Sequence, residues 1–184
     1  MKEYTLAPVT SRESLHLLGG LVQTREKLLD FIAGLDEEDI HHPVQEFPTI
    51  GGYALHLAQI EWWWNFVVLR DEGISSDVKE RFRFSHKQEI PAAGGLEKSY
   101  ILARLGESRM HTREFFYALS DQEFRRPDLT ISGGSSDEFF SPEWVLHHLH
   151  YHESYHLGQM NMLRQWMNGQ REKWEHFNTP YLSM

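Results

Sequence analysis

The segment from about Ser141 to Asn168 constrains the fold more than any other, because a strong helix start precedes histidines on an apolar stripe. Ser141-Pro142-Glu143 supplies an N-cap, a proline at the first helical position and an acid near the positive helix end. Alternating steps of four and three residues, typical of the inward face of a bundle helix, connect Val145, Leu149, His152, His156, Gln159, Leu163 and Trp166. A chain with this segment must pack imidazole rings against other helices.

Three further segments have helical periodicity, from about Ser11 to Gly34, from Thr49 to Glu72 and from Leu96 to Ser120. Arg25 completes the apolar row of the first one, which contains Leu15, Leu18, Val22, Leu29 and Ile32. We therefore predict an all-α four-helix bundle, with helices at about 11–34, 49–72, 96–120 and 141–168 in one domain spanning 1–184.

The connection between the second and third helices, residues 73–95, is long for a bundle loop. It is expected to cross the length of the bundle and to join two parallel helices. A faint repeat relates residues 35–43, after the first helix, to residues 119–127, after the third. It indicates either two related helical hairpins or only the general chemistry of helix ends.

The composition excludes several classes of function. The chain has 184 residues and no cysteine, which excludes disulfides, thiolate metal sites and a cysteine nucleophile. Its formal charge of −9 argues against nucleic acid or an anionic membrane as the main partner. The sequence has neither a run of 18 apolar residues nor the pattern of a secretory signal, so a cytoplasmic location is expected.

The histidines carry the functional prediction. His152 and His156 lie one helical turn apart, and His56 lies on the matching row of the second helix, with Tyr53, Ile60, Trp63 and Val67. An unpaired imidazole nitrogen in a bundle core costs a few kcal/mol, and a divalent transition metal removes this cost by accepting the lone pair. Three protein ligands and an open position are typical of catalytic zinc sites, although imidazole also suits nickel, copper and iron.

Other residues are candidates for supporting roles. His148 is a rival ligand, but it is eight residues from His156, roughly 12 Å along a helix, so both cannot easily bind one ion. Gln159 and Tyr53 are placed to orient a ligand or a bound water, as His148 is if it does not bind the metal. Glu153 is the candidate catalytic base. Among the neighbouring tryptophans, Trp63 is expected in the core, with Trp62 or Trp64 at a pocket mouth or dimer surface.

The same segment also matches the H-E-x-x-H pattern of zinc peptidases, in which the glutamate acts as general base. Glu175 is then the candidate for a third ligand. Such peptidases hold an extended peptide against a sheet edge, and no sheet is predicted upstream of this helix. A metallopeptidase is therefore the less favoured hypothesis.

His56 within Leu55-His56-Leu57, together with the later H-x-x-x-H-x-G-Q ending at Gln159, resembles the DinB/YfiT-like family over nearly the whole chain. The resemblance implies a bundle with up-down-down-up connectivity, often a homodimer, and one nickel or zinc ion on three histidines. These correspond to His56, His152 and His156 here. Many relatives have arginine after the last histidine, where this chain has Leu157.

The resemblance implies two kinds of reaction. Some relatives are thiol-dependent transferases or isomerases that use mycothiol or bacillithiol, and others are metal-dependent hydrolases. The favoured hypothesis is thus a metal-dependent enzyme, an S-transferase or a hydrolase, acting on a small electrophilic molecule. The alternative is a non-catalytic, stress-associated bundle that holds a metal ion, for which a fourth protein ligand would be expected.

Overall fold

The computed structural model describes residues 13–85, 89–130 and 139–169. The helices of these ranges are α1 (Glu13–Ala33), α2 (Glu37–His41), α3 (Ile50–Trp63), α4 (Ser76–Arg81), α5 (Lys98–Ala118), α6 (Asp121–Phe124) and α7 (Pro142–Met167). A π-helical segment, Trp64–Leu69, continues α3. The only β-structure of the described ranges is two isolated bridges, Val44 with Phe47 and Leu129 with Phe140. The predicted all-α class is confirmed, and the predicted helix start at Ser11 lies outside the described residues.

The four long helices α1, α3, α5 and α7 form the bundle, in which α3 and α1 each pack against both α5 and α7. Helices α1 and α5 are antiparallel, because Arg109 donates to the carbonyl of Leu21 while Arg25 donates to that of Leu105. No described helix is long and apolar enough to cross a membrane.

Two further pairs of contacts fix the directions of the other helices. Asn65 donates to Thr112, and the preceding Gly51 lies against Ile101, so α3 and α5 are parallel. Gly20 lies against His150 and Gly34 against Arg164, so α1 and α7 are parallel as well. The connectivity is therefore up-down-down-up, as the family resemblance implies.

The connection from α3 to α5 follows the bundle and contains structure that the sequence pattern does not predict. Ser75 caps α4 by accepting a hydrogen bond from the backbone N–H of Val78 at 3.3 Å. Phe82 follows α4 and is fully buried. The side chain of Gln59 in α3 donates to the carbonyls of Phe82 and Arg83 at 2.6 and 2.9 Å, which fixes the connection to the helix that carries His56.

The two segments related by the faint repeat have equivalent structures. Each forms a short helix with a capping box, α2 after Asp36 and α6 after Ser120. Ile40 and Phe124 are fully buried under these helices. The repeat therefore corresponds to a short capped helix that closes the end of each helical hairpin.

The start of α3 approaches its neighbours too closely for side chains. Thr49 caps the helix by accepting a hydrogen bond from Gly52 at 3.1 Å. A Cβ on Gly51 would lie 2.7 Å from the side chain of Ile40, and one on Gly52 would lie 2.8 Å from the carbonyl of Pro91. The two glycines therefore allow the close packing that positions the adjacent Tyr53 and, one turn later, His56.

Candidate metal centre

The structure brings together the three histidines that the sequence nominated as metal ligands. His56 comes from α3, and His152 and His156 come from successive turns of α7. Their ring centroids form a triangle with sides of 5.2 Å (His56 to His152), 5.1 Å (His56 to His156) and 4.4 Å (His152 to His156). One nitrogen of each ring lies within 4.8 Å of the others. Nitrogen atoms of residues almost 100 positions apart in the sequence therefore converge on one point.

The cluster lies at the seam between α3 and α7 rather than at the centre of the bundle. On α7 the buried row is Val145, Leu149, Glu153, His156, Met160 and Leu163. His152 and Gln159 flank this row, and both are partly exposed. His56 is partly exposed as well, on a face of α3 that Ile60 and Trp63 continue. At this seam the histidines are accessible to a small molecule. In the centre of the bundle they would not be.

Gln159 determines which nitrogen of His156 is free. The Nδ1–H of His156 donates to Oε1 of Gln159 at 2.6 Å, and the amide of Gln159 donates to the hydroxyl of Tyr155 at 3.3 Å. In a neutral imidazole the other nitrogen, Nε2, then carries a lone pair. This Nε2 lies 3.1 Å from Nε2 of His152. Gln159 thus orients the ring, as hydrogen-bond partners of metal-binding histidines do.

The environment keeps these imidazoles neutral. Burial, and next the nearby His156, lower the pKa of His56 to about 4, against a hydrogen bond with Gln59 that raises it. Burial and the charges of the neighbouring histidines lower the pKa of His152 to about 3. Burial also lowers the pKa of His156, against the hydrogen bond to Gln159. Neutral rings are the form that binds a metal ion.

The donor set fits a divalent transition metal. Metal–nitrogen bonds of about 2.0–2.1 Å put two ligand nitrogens of a tetrahedral ion about 3.3 Å apart. The Nε2 atoms of His152 and His156 are already at 3.1 Å. No carboxylate or cysteine joins these histidines in the cluster found among the described residues. Such a set gives three protein ligands and leaves a position for a further ligand.

Tyr53 and His148 lie beside the cluster, where the sequence placed them. The ring of Tyr53 is buried, with its centroid 5.2 Å from that of His156, and burial raises its pKa. The ring of His148 stacks on His152 with centroids 5.8 Å apart and 20° between the planes. Its nitrogens are not part of the three-histidine focus.

Glu153 does not face the histidines. Its Oε2 accepts hydrogen bonds from Arg25 of α1 and Arg109 of α5, each at 2.7 Å. The side chain therefore points toward α1 and α5, whereas the histidines face α3. The geometry assigns Glu153 to an ion-pair cluster and not to the catalytic role that the sequence suggested.

This ion-pair cluster takes one residue from each long helix: Arg25, Glu61, Arg109 and Glu153. Their exposures are only 5%, 2%, 6% and 3%. Glu61 pairs with Arg25 at 2.7 Å and with Arg109 at 2.5 Å. Burial raises the pKa of Glu61, but the two arginines outweigh this effect and lower it. Arg25 on the apolar row of the first helix is the one signal of this cluster in the sequence pattern, which does not indicate its partners.

The peptidase hypothesis loses its base in this arrangement, because the glutamate of the H-E-x-x-H pattern must face the metal-bound water. Its candidate third ligand, Glu175, lies outside the described residues.

The expectation for the tryptophans is reversed: Trp62 and Trp64 are buried, at 7% and 6% exposure, and Trp63 is partly exposed. Trp63 follows the row of His56, and that row faces the seam.

Comparison with known proteins gives a family and a fold. The family model described as mycothiol-S-transferase matches residues 16–169. A crystal structure of a conserved protein from Enterococcus faecalis has a TM-score of 0.68 to this chain, with 13% sequence identity, and covers 87% of this chain and 99% of its own. At this identity the likeness concerns the fold alone. No curated protein matches the sequence.

Proposed function

The chain belongs to the mycothiol-S-transferase family, a DinB/YfiT-like group, and on this basis we propose that it is a metal-dependent thiol S-transferase. It joins the sulfur of a low-molecular-weight thiol to a small electrophilic molecule at an ion held by His56, His152 and His156. The observation that carries the proposal is the convergence of these three rings, within 4.8 Å, at a partly exposed seam.

A zinc or nickel ion at this place would lower the pKa of a coordinating thiol and hold the thiolate as a nucleophile. In such a transfer the thiol proton would go to solvent, the sulfur would form a bond to the electrophilic carbon, and the leaving group would depart with the electron pair of the broken bond. The chain's own residues prepare the site: Gln159 fixes the tautomer of His156, and the surrounding burial keeps the rings neutral.

The family description favours mycothiol as the thiol, and bacillithiol is the second candidate. A hydrolase would use the same open position for water instead of a thiol. The homodimer and the cytoplasmic location stay predictions from the resemblance and the composition.

Metal content tests the ligand set. The wild type, after reconstitution with Zn²⁺ or Ni²⁺ and removal of loose ions, should retain one ion per chain. His56→Ala and His152→Ala should lose it, because two imidazoles remain. His148→Ala is the matched control, since it removes a neighbouring imidazole from the same helix face and should retain the ion. Full metal content in His56→Ala would overturn the three-histidine site.

A transfer assay separates catalysis from metal storage. Mycothiol, bacillithiol and glutathione are each mixed with 1-chloro-2,4-dinitrobenzene, and formation of the thioether is followed by absorbance above the uncatalysed background. The proposal expects a chelator-sensitive rate with mycothiol or bacillithiol that His152→Ala abolishes. A metal-loaded protein with no rate for any thiol would instead support a non-catalytic, metal-holding bundle.

A further inference from the structure

A groove between α1 and α5 lies on the face of the bundle opposite the histidine seam. Each of these helices packs against the other and against one helix of the α3–α7 pair, so the two seams lie on opposite faces. The groove encloses about 640 Å³, and the buried side chains of Arg25, Leu105 and Arg109 form its floor. Its apolar walls are formed by Val22, Leu29, Leu102, Met110 and Tyr117. We call it the α1–α5 groove.

The walls of this groove expose several large apolar side chains. Leu29, Met110 and Tyr117 keep 37%, 50% and 44% of their surface exposed. A Cβ on Gly106, which also lines the groove, would meet no atom of the described residues within 4 Å. Grouped apolar side chains in water are unfavourable and commonly mark a surface that another segment covers. Residues 13–85, 89–130 and 139–169 do not supply this cover.

The chain leaves α7 at the end of the bundle where this groove begins. Arg164, in the last turn of α7, donates to the carbonyl of Gly34 at 3.4 Å, so α7 and α1 end side by side. Lys98, the first residue of α5, donates through Nζ to the carbonyl of Leu35 at 2.6 Å and lies at the same end. Gly169 has a φ of 68°, and this left-handed conformation ends the helix and turns the chain off its axis.

Residues 170–184 follow this turn, and we call them the tail. Its 15 residues span at most about 50 Å when extended. The groove follows α5 from Leu102 to Tyr117, which is only about 23 Å of helix. The tail is therefore long enough to run the whole length of the groove. It is also rich in large apolar side chains, namely Trp174, Phe177, Tyr181, Leu182 and Met184.

We propose that the tail folds back over its own chain and covers the α1–α5 groove with these apolar side chains. The charges agree with this placement, since Arg171 and Lys173 precede Trp174 and the acidic Glu26 lies at the groove. A second copy of the chain would compete for the same surface. The tail has the advantage, because a segment tethered at the groove's own end acts at an effective concentration of about 1 mM.

Limited proteolysis of the full chain tests the proposal. Trypsin cleavage after Lys173 removes residues 174–184, a loss that mass spectrometry identifies. A docked tail is cut only when it detaches, so the rate follows the population of the open form. Met110→Glu places a charge in the apolar groove and should raise the rate of this cleavage about tenfold. Tyr151→Glu is the matched control, because Tyr151 is an exposed apolar residue of α7, 63% exposed, outside the groove.

Equal cleavage rates in the wild type and in Met110→Glu would overturn the docking, as would an equal acceleration in Tyr151→Glu. Circular dichroism shows whether each variant is folded. Met110→Glu should also keep the metal content of the wild type, because the groove and the histidine seam lie on opposite faces of the bundle.

Cysteine cross-linking distinguishes the tail from a second copy of the chain. The chain has no cysteine of its own, so a pair introduced at Met110 and Asn178 is unique. Met110→Cys with Asn178→Cys should form a disulfide within one chain, about tenfold faster than Tyr151→Cys with Asn178→Cys. Both positions are within reach of a free tail, because nine residues after Gly169 span about 30 Å.

Equal rates for the two pairs would mean that the tail is not held in the groove, and disulfides formed only between chains would assign the groove to a second copy. Either result overturns the proposal. The proposed S-transferase function is unaffected by both, since neither experiment depends on a metal ion or a thiol substrate.

Discussion

At the scale of single residues, the chemistry of the site depends on imidazoles that are buried enough to stay neutral and exposed enough to be reached. The sequence nominated three histidines that the structure brings within 4.8 Å of one another, and the spacing of His152 and His156 was readable because spacing on a helix is a local property. It placed His152 on the buried row, whereas the structure places Glu153 there. The real helix has 3.6 residues per turn, so a row drawn with heptad steps drifts by about 20° per heptad. This drift turns His152 toward the edge of the buried face and brings Glu153 into it.

The lowered pKa values of His56 and His152 predict how the stability of the metal-free protein depends on pH. In the unfolded chain both groups titrate near the ordinary value of about 6.5, whereas in the folded chain they titrate at about 4 and 3. As the pH falls below about 6.5 the unfolded state takes up protons first, so stability decreases toward pH 4. Above about pH 7.5 both groups are uncharged in the folded and the unfolded chain, so they do not change the stability with pH.

Urea denaturation of the metal-free protein between pH 4.5 and 8 checks this dependence. His152→Asn should reduce the slope of the curve between pH 4.5 and 6.5, because it removes one of the groups whose pKa is lowered in the folded chain. His42→Asn replaces an exposed histidine after α2 and should keep the wild-type slope. A wild-type midpoint that does not fall below pH 6.5 contradicts the environment described for the cluster.

Gln159 is predicted to strengthen metal binding without touching the ion. Gln159→Ala removes the acceptor that holds Nδ1–H of His156, and we expect the affinity for Zn²⁺ to fall about 10- to 100-fold. Asn161→Ala is the control, since Asn161 donates to the carbonyl of Leu157 within α7 and not to a histidine of the described cluster. Competition with a chromogenic chelator measures the Zn²⁺ affinity of the wild type and of both variants. Equal affinities for wild type and Gln159→Ala would remove Gln159 from the site.

At the scale of elements, the long helices were predictable and their short companions were not. Apolar periodicity and the caps at Thr49 and Ser141 located the starts of α3 and α7. Helices α2, α4 and α6 have four to six residues, too few to show a period, and tertiary contacts such as the burial of Ile40 and Phe124 hold them in place. The end of α3 widens into a π-helical segment, which no local pattern announced.

Two glycines in helices are predicted to respond oppositely to alanine. Gly51→Ala puts a Cβ 2.7 Å from Ile40 and 3.2 Å from both Ala93 and Ile101, so it should cost about 1–3 kcal/mol through overpacking. Gly106→Ala in α5 meets nothing within 4 Å and should stabilise by about 0.5–1 kcal/mol, because alanine loses less backbone entropy in a helix. Thermal unfolding of both variants provides the comparison, and a stable Gly51→Ala protein would show that the α2–α3 contact can relax.

At the scale of the whole molecule, the ion-pair cluster is the point where all four long helices meet. Single replacements there should be severe, because each leaves one buried charge in excess among the remaining three. Arg109→Met should cost about 3–5 kcal/mol of unfolding free energy. The double variant with Glu61→Leu keeps the pair of Arg25 with Glu153 and should recover part of the loss. Arg126→Met, in an exposed ion pair with Asp128, should change stability by less than about 0.5 kcal/mol.

Chemical denaturation followed by circular dichroism measures these differences. A double variant that loses as much as the sum of its single replacements would show that Arg109 and Glu61 act independently. Arg25 on an apolar row indicates a buried charge, but the sequence could not reveal its partners, since they come from three distant segments and only the assembled bundle makes their charges neighbours.

The four charges in the bundle centre also constrain how such a chain can diverge. Two cations and two anions compensate one another there, so a lineage that loses one must soon lose or invert its counterpart. Among homologues, positions 25, 61, 109 and 153 should consequently covary, passing between the charged set and an apolar set with few surviving intermediates.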